Sequence, residues 1–148
     1  MNRVELLALL RRHRVAVQTS VTASGAPQAA IVGIAIGDTF EVVFDTLQTS
    51  RKAQNLRRNP RIALVLGGWT PGEEQTVQYE GVADEPRGAD LERIRQLYFE
   101  VYPDGRERLA WPGLIHVRVK PTWLRYSDFN QTPAAILEFS ADQLAALI

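Results

Sequence analysis

One stretch, residues 40–66, most constrains the fold of this chain, because it has the pattern of a strand, a short helix and a second strand. Apolar side chains alternate over residues 40–45, which predicts a strand with one buried face. Ser50 is a favourable N-cap residue for a helix. Asn59-Pro60 predicts the end of that helix, because the residue before proline is pushed out of the helical region. Alternation resumes over residues 62–66. The stretch therefore predicts a helix inserted between two strands.

Arg51 and Lys52 are unusual residues for the first turn of that helix. The N-terminal end of a helix is positive, so each cation there costs about 0.3–1 kcal/mol. No acidic residue between Asp45 and Glu73 offsets them. A bound anion would reverse the cost, and the Ser50 hydroxyl, free amide N–H groups and two cations together suit a phosphate. Two interpretations stay open: a phosphate site, or a solvated basic helix whose cations point away.

The remaining segments favour a mainly β fold. Helices are predicted at residues 4–12 and 88–102, and a short one after Ser140. The first three strands have no helix between them, which argues against a doubly wound α/β fold and for an antiparallel barrel with helices at its ends. The six predicted strands lie at residues 15–22, 28–36, 40–45, 62–66, 76–83 and 114–126, the last kinked at Pro121.

Composition and length limit the number of domains and the kinds of partner. A length of 148 residues fits one domain, 1–148, and zero net charge argues against nucleic acid as a partner. The absence of cysteine excludes disulfides and fits a cytoplasmic protein. The first apolar run is broken by Arg11-Arg12, so no membrane span is expected. His116 has no partner at metal-ligand spacing, so we expect an ordinary core or surface histidine and no metal site.

The order and spacing of several motifs resemble the pyridoxamine 5′-phosphate oxidase-like, FMN-binding split-barrel superfamily. The resemblance covers residues 15–126 and implies a six-stranded antiparallel split β-barrel of Greek-key type that acts as a homodimer. The matching motifs are Gly25-x-Pro27, Phe44-x-Thr46, Ser50-x-Lys52, Asn55-Leu56-x-x-Asn59-Pro60-Arg61 and the strand at 75–81.

The resemblance also implies a site for FMN across the barrel, at the subunit interface. Backbone groups of the second strand would meet the isoalloxazine ring, at Ala30, Ile31, Val32, Gly33 and Ile34. Asp45 and Thr46 would lie beside the ring and the ribityl chain. The phosphate would be held by Ser50, Arg51 and Lys52, which agrees with the independent argument from the helix start. Gln75 or Thr76 would approach the ring, in one arrangement from the second subunit.

Two departures from the superfamily pattern bear on the substrate. True pyridoxamine-phosphate oxidases have an arginine on the second strand where this chain has Ala30. They also end in an Arg-x-His motif that holds the substrate phosphate, and no such motif follows Trp123 here. One phosphate ligand and the substrate clamp are thus missing, which argues against pyridoxamine-phosphate oxidation and for weakened FMN binding.

Three functions therefore stay open. The first is an FMN-dependent oxidoreductase with a small substrate that the sequence does not name. The second is a reductase that uses a deazaflavin cofactor, whose longer acidic tail would engage Arg57, Arg58 and Arg61. The third is a non-catalytic flavin- or haem-binding module, which stays open because no catalytic acid or base stands out.

Overall fold

The computed structural model describes residues 1–147, which form eight strands, four α-helices and one 3₁₀ helix. The helices are α1 (Arg3–Arg11), α2 (Arg51–Arg58), α3 (Gly88–Val101) and α4 (Ala141–Ala146), with the 3₁₀ helix at Pro103–Ala110. The strands are β1 (Val15–Val21), β2 (Pro27–Gly33), β3 (Ala35–Ile36), β4 (Val42–Leu47), β5 (Arg61–Gly67), β6 (Gln75–Asp84), β7 (Leu114–Asp128) and β8 (Ala135–Ser140).

All strands belong to one antiparallel sheet that curls into a half-barrel, as the sequence predicts. The order is β2-β1-β5-β6-β7-β4-β3, and β8 pairs with the second half of β7. The long strand β7 pairs with β4 through residues 114–119 and with β6 through residues 118–128. In this order β2 is an edge strand that pairs with β1 alone, so one row of its backbone N–H and C=O groups faces away from the sheet.

The predicted count of six strands is wrong, because two short pairings were missed. The predicted strand 28–36 is broken at Ile34, whose N–H donates to the Arg14 carbonyl at 2.9 Å, and residues 35–36 pair with β4 instead. The strand β8 was missed because its sequence, AILEFS, lacks apolar–polar alternation; most of its side chains are exposed on an edge.

The sheet is packed on both faces around β4. Val42 and Phe44 lie in the main core with the α1 leucines, whereas Val43 lies in a second cluster beneath α3. The strand itself is present, but the prediction that only one of its faces is buried is wrong, because α3 covers the other face. The strand also starts later than predicted: Phe40 lies before it, with φ +64° and a buried ring.

Helix boundaries follow their capping residues closely. Ser50 Oγ accepts from the Ala53 N–H at 3.2 Å, and Asn59 closes α2, as predicted. Ser140 and Gln143 form the predicted capping box of α4. Within residues 1–147, no helix combines the length and apolar character needed to cross a membrane.

Candidate functional site

The start of α2 brings a set of donors to one end of the half-barrel. Thr46, at the end of β4, donates its hydroxyl to Ser50 Oγ at 3.0 Å, and Ser50 caps the helix. The amide N–H groups of Arg51 and Lys52 have no carbonyl partner inside α2, because the first turn of any helix leaves them free. The result is a cluster of hydroxyls and free N–H groups at the positive end of a helix dipole.

Arg51 and Lys52 add two positive charges that have no acidic counterpart. The first turn of α2 contains no acidic residue, and within residues 1–147 neither side chain forms a salt bridge. Arg51 contacts the side-chain amide of Gln28, which also lies 2.7 Å from Asn55 Nδ2. This end of the half-barrel therefore carries two positive charges without a salt bridge, which suits a phosphate and leaves both interpretations of the sequence open.

The five predicted ring-contact residues lie on β2 and directly after it. Gln28, near the start of β2, touches Arg51, so residues 30–34 run away from the start of α2 along the free edge of the sheet. Side chains on this segment alternate in exposure: Ile31 is 72% exposed, while Val32 and Ile34 are buried in the core. A polar helix start and a free backbone edge thus lie next to each other.

Asp45 and Thr46 lie on opposite faces of β4, as adjacent strand residues must. Thr46 faces Ser50, but Asp45 faces the second cluster beneath α3. There it accepts from Arg108 Nε at 2.7 Å and from the Tyr98 hydroxyl at 3.1 Å. Burial and the Asp45 charge raise the pKa of Tyr98, and the hydrogen bond to Asp45 raises the pKa of Arg108. Within one protomer, Asp45 is thus engaged by protein groups.

Gln75 and Thr76 lie far from the start of α2 within the same protomer. They begin β6, a ten-residue strand, whereas α2 packs near its other end, around Ala83 and Glu85. Gln75 contacts Arg12 and Asp128 at 2.8 and 3.2 Å. If either residue approaches a ligand at α2, it does so from a second subunit.

Sequence reasoning missed four residues of this region: Gln28, Asn55, Tyr98 and Arg108. Asn55 offered a signal, because a buried asparagine in a short helix needs a polar partner; it donates to Gln28 and, at 3.1 Å, to Ser20. Tyr98 and Arg108 gave no such signal, since more than fifty residues separate each from Asp45 and only the fold brings them together.

Comparison with known proteins decides the family. The family model for pyridoxamine 5′-phosphate oxidase matches residues 3–127. The chain belongs to the pyridoxamine 5′-phosphate oxidase family. A member with sequence similarity is the pyridoxine/pyridoxamine 5′-phosphate oxidase of Bordetella avium, 38% identical over 92 residues. That match covers 62% of this chain and 41% of the Bordetella enzyme, so the chain matches less than half the length of such relatives.

Solved structures agree on the family fold. A haem-binding protein from Mycobacterium smegmatis superposes with a TM-score of 0.82 at 15% identity, covering 98% of this chain and 59% of that one. A pyridoxamine 5′-phosphate oxidase-related, FMN-binding protein from Nostoc punctiforme superposes with a TM-score of 0.70 at 14% identity, covering 93% and 86%. At these identities the similarity is one of fold alone. The same fold thus occurs in a haem-binding protein and in an FMN-binding protein.

Proposed function

We propose that this protein is a homodimeric, FMN-binding oxidoreductase of the pyridoxamine 5′-phosphate oxidase family with a small-molecule substrate other than pyridoxamine phosphate. The observation that carries the proposal is the start of α2, where Ser50, Arg51 and Lys52 follow one another with no acidic residue in the first turn and no salt bridge to either cation within residues 1–147. The flavin, when bound, supplies the redox chemistry, and the protein binds and orients it.

The side chains at α2 fit a phosphate monoester well. A dianion there would accept hydrogen bonds from the first-turn amides and the Ser50 hydroxyl, and would pair with the Lys52 ammonium. It would also turn the unfavourable placement of two cations at a helix N-terminus into a favourable one. The Arg51 guanidinium lies beside the Gln28 side chain at this end.

The free edge of β2 supplies the second half of the proposed cofactor site. Flavin rings carry carbonyl and N–H groups along one edge, and a strand with unpaired backbone groups can bond to such an edge without needing particular side chains. Residues 30–34 begin close to the phosphate-binding end, so one extended ligand can contact both. Asp45 contributes least in this arrangement, because Arg108 and Tyr98 already occupy its carboxylate.

The homodimer is supported by an apolar patch on the outer face of the sheet. Ile31, Val17 and Val65 lie side by side on β2, β1 and β5, and all three are at least 40% exposed. Adjacent exposed branched residues on a sheet face favour burial against another protein surface. A second copy placed against this patch could also bring its own Gln75 and Thr76 toward the cofactor.

Side-chain positions bear on the two alternative cofactors. Of the three arginines that a deazaflavin tail would engage, Arg57 is bound to Glu85 through two hydrogen bonds of 2.8 and 2.9 Å, whereas Arg58 and Arg61 form no salt bridge within residues 1–147. A haem would need an axial ligand; of the two histidines, His116 is buried beneath α3, whereas His13 is partly exposed.

The visible spectrum of the protein, purified and then offered each cofactor, tests the proposal. We expect flavin bands after FMN addition, and FMN-dependent NAD(P)H oxidation when an electron acceptor is present. A Soret band with haem, a deazaflavin band, or no retained chromophore would refute FMN as the cofactor. Retained FMN without turnover across a panel of acceptors would leave a binding module and refute the oxidoreductase.

A further inference from the structure

His116 is a buried histidine without a hydrogen-bond partner. Its side chain is 2% exposed, and within residues 1–147 neither ring nitrogen meets a donor or acceptor. The ring lies edge-on to Tyr98 and Phe99, with centroids 5.7 and 5.8 Å apart. The sequence predicts an ordinary core or surface histidine. The residue is in the core, but its polar atoms are unsatisfied, which is rare in folded proteins.

His116 forms part of the wall of a cavity between α3 and the start of β7, which we call the His116 pocket. The pocket has a volume of about 320 Å³, far more than the roughly 30 Å³ that one water occupies. Arg95 also lines it, and its Nε is a second buried polar atom without a partner among the described residues. Two residues that carry unsatisfied polar atoms, on different elements, thus line one cavity.

The charges around the His116 pocket favour an anion. Arg87 and Arg95 line it, and neither forms a salt bridge within residues 1–147. Arg57 is also in the wall, but Glu85 takes both of its hydrogen bonds. Two unpaired guanidinium groups therefore remain, and guanidinium groups bind carboxylates through parallel hydrogen bonds.

Apart from Glu85, which is paired with Arg57, the rest of the wall is aliphatic, and this narrows the class of anion. Leu91 of α3 and Leu114 and Ile115 of β7 line the same cavity. A wall of this kind favours a ligand with a hydrocarbon body, because inorganic ions would leave these side chains against water.

We propose that the His116 pocket binds a small organic carboxylate. Its charged end meets Arg87 and Arg95, the His116 ring donates its one neutral-form N–H to the same end, and its hydrocarbon body packs against the aliphatic wall. The pocket lies on the α3 side of the sheet, and the proposal does not depend on the identity of the cofactor.

Histidine-selective NMR tests the proposal directly, because the chain has only two histidines and His13 serves as an internal reference. The probe is benzoate, with benzamide as its uncharged isostere and inorganic phosphate as an anion without a hydrocarbon body. We expect benzoate to shift the His116 ring signals saturably at about millimolar concentration, with His13 unchanged. Benzamide and phosphate should each bind about tenfold more weakly or worse.

Variants show whether benzoate binding depends on Arg95. Arg95→Met, on a part-exposed helix position, should weaken benzoate binding about tenfold or more. Arg125→Met removes an equal charge from a β7 residue outside the pocket and should leave binding unchanged. Unshifted His116 signals, equal binding of benzoate and benzamide, phosphate binding as tight as benzoate, or wild-type affinity in Arg95→Met would each overturn the proposal.

Discussion

Replacing Arg108 with methionine is expected to lower the free energy of unfolding by about 2–3 kcal/mol. Arg108 and Asp45 are 20% and 13% exposed, and their charged atoms are 2.7 Å apart. Breaking a fully buried pair costs about 3–5 kcal/mol, whereas an exposed pair is worth about 0.2–1 kcal/mol. Because both side chains are partly exposed, the cost of breaking this pair should lie between those limits. It should lie nearer the buried limit, because the variant leaves the Asp45 carboxylate with only the Tyr98 hydroxyl as a partner.

Urea unfolding at neutral pH measures this loss, and Arg125→Met is its matched control. Arg125 pairs with Glu138 at 3.2 Å, but the two side chains are 35% and 51% exposed, so we expect a loss below about 1 kcal/mol. For a chain of this length, the Arg108 variant should also melt about 5–10 °C lower. Equal losses in the two variants would refute the claim that Arg108 holds Asp45.

A double-mutant cycle with Asp45→Asn assigns the loss to the pair. The two substitutions should be less than additive, with a coupling energy of about 1–2 kcal/mol, because each removes the same interaction. Since the carboxylate is already engaged, Asp45→Asn should change FMN affinity by less than about threefold. A larger change would place Asp45 beside the cofactor, as the family resemblance implies.

Three further outcomes follow from other contacts. Tyr79→Phe should cost about 1–2 kcal/mol by urea unfolding, because the buried hydroxyl lies 2.9 and 3.0 Å from two backbone carbonyls and shares its single proton between them; an unchanged midpoint would contradict this. Ile31→Lys should turn a dimer into a monomer by light scattering, and a wild-type mass would rule the patch out. Hydrogen bonds from the Gln131 side chain and the Asn130 backbone lower the pKa of Asp128 from 3.8 to about 2. The ionised Asp128 carboxylate should therefore stabilise the fold above pH 3.8, and this stabilisation should be lost as the pH falls to about 2. In a plot of unfolding free energy against pH, Asp128→Asn should reduce the loss of stability at the acid end.

The central strand–helix–strand unit could be predicted because its signals are local. A serine cap, an Asn-Pro stop and alternating apolar residues each act within a few positions, so the α2 boundaries are confirmed. The error at β4 has a non-local cause: Val43 is buried by α3, which begins some forty-five residues later. β8 was missed because edge exposure removes the alternation that marks a strand.

The candidate site divides in the same way. A candidate anion site at the start of α2 could be predicted, because a helix dipole makes two cations at that position unfavourable without an anion. The engagement of Asp45 by Arg108 could not, since a sequence does not show which side chains a folded sheet and helix bring together. The unsatisfied state of His116 likewise depends on packing by α3.

Titration of FMN and riboflavin into Lys52→Ala tests the central claim most directly. Lys120, the only other lysine, gives the matched control Lys120→Ala. Loss of one charge-assisted contact, about 1.5–3 kcal/mol, should weaken FMN binding ten- to a hundredfold. Riboflavin, which lacks the phosphate, should bind wild type and both variants alike. The ligand-free Lys52→Ala protein should melt no lower than wild type, because a cation has left the positive end of a helix. Equal FMN affinity in wild type and Lys52→Ala would contradict the account.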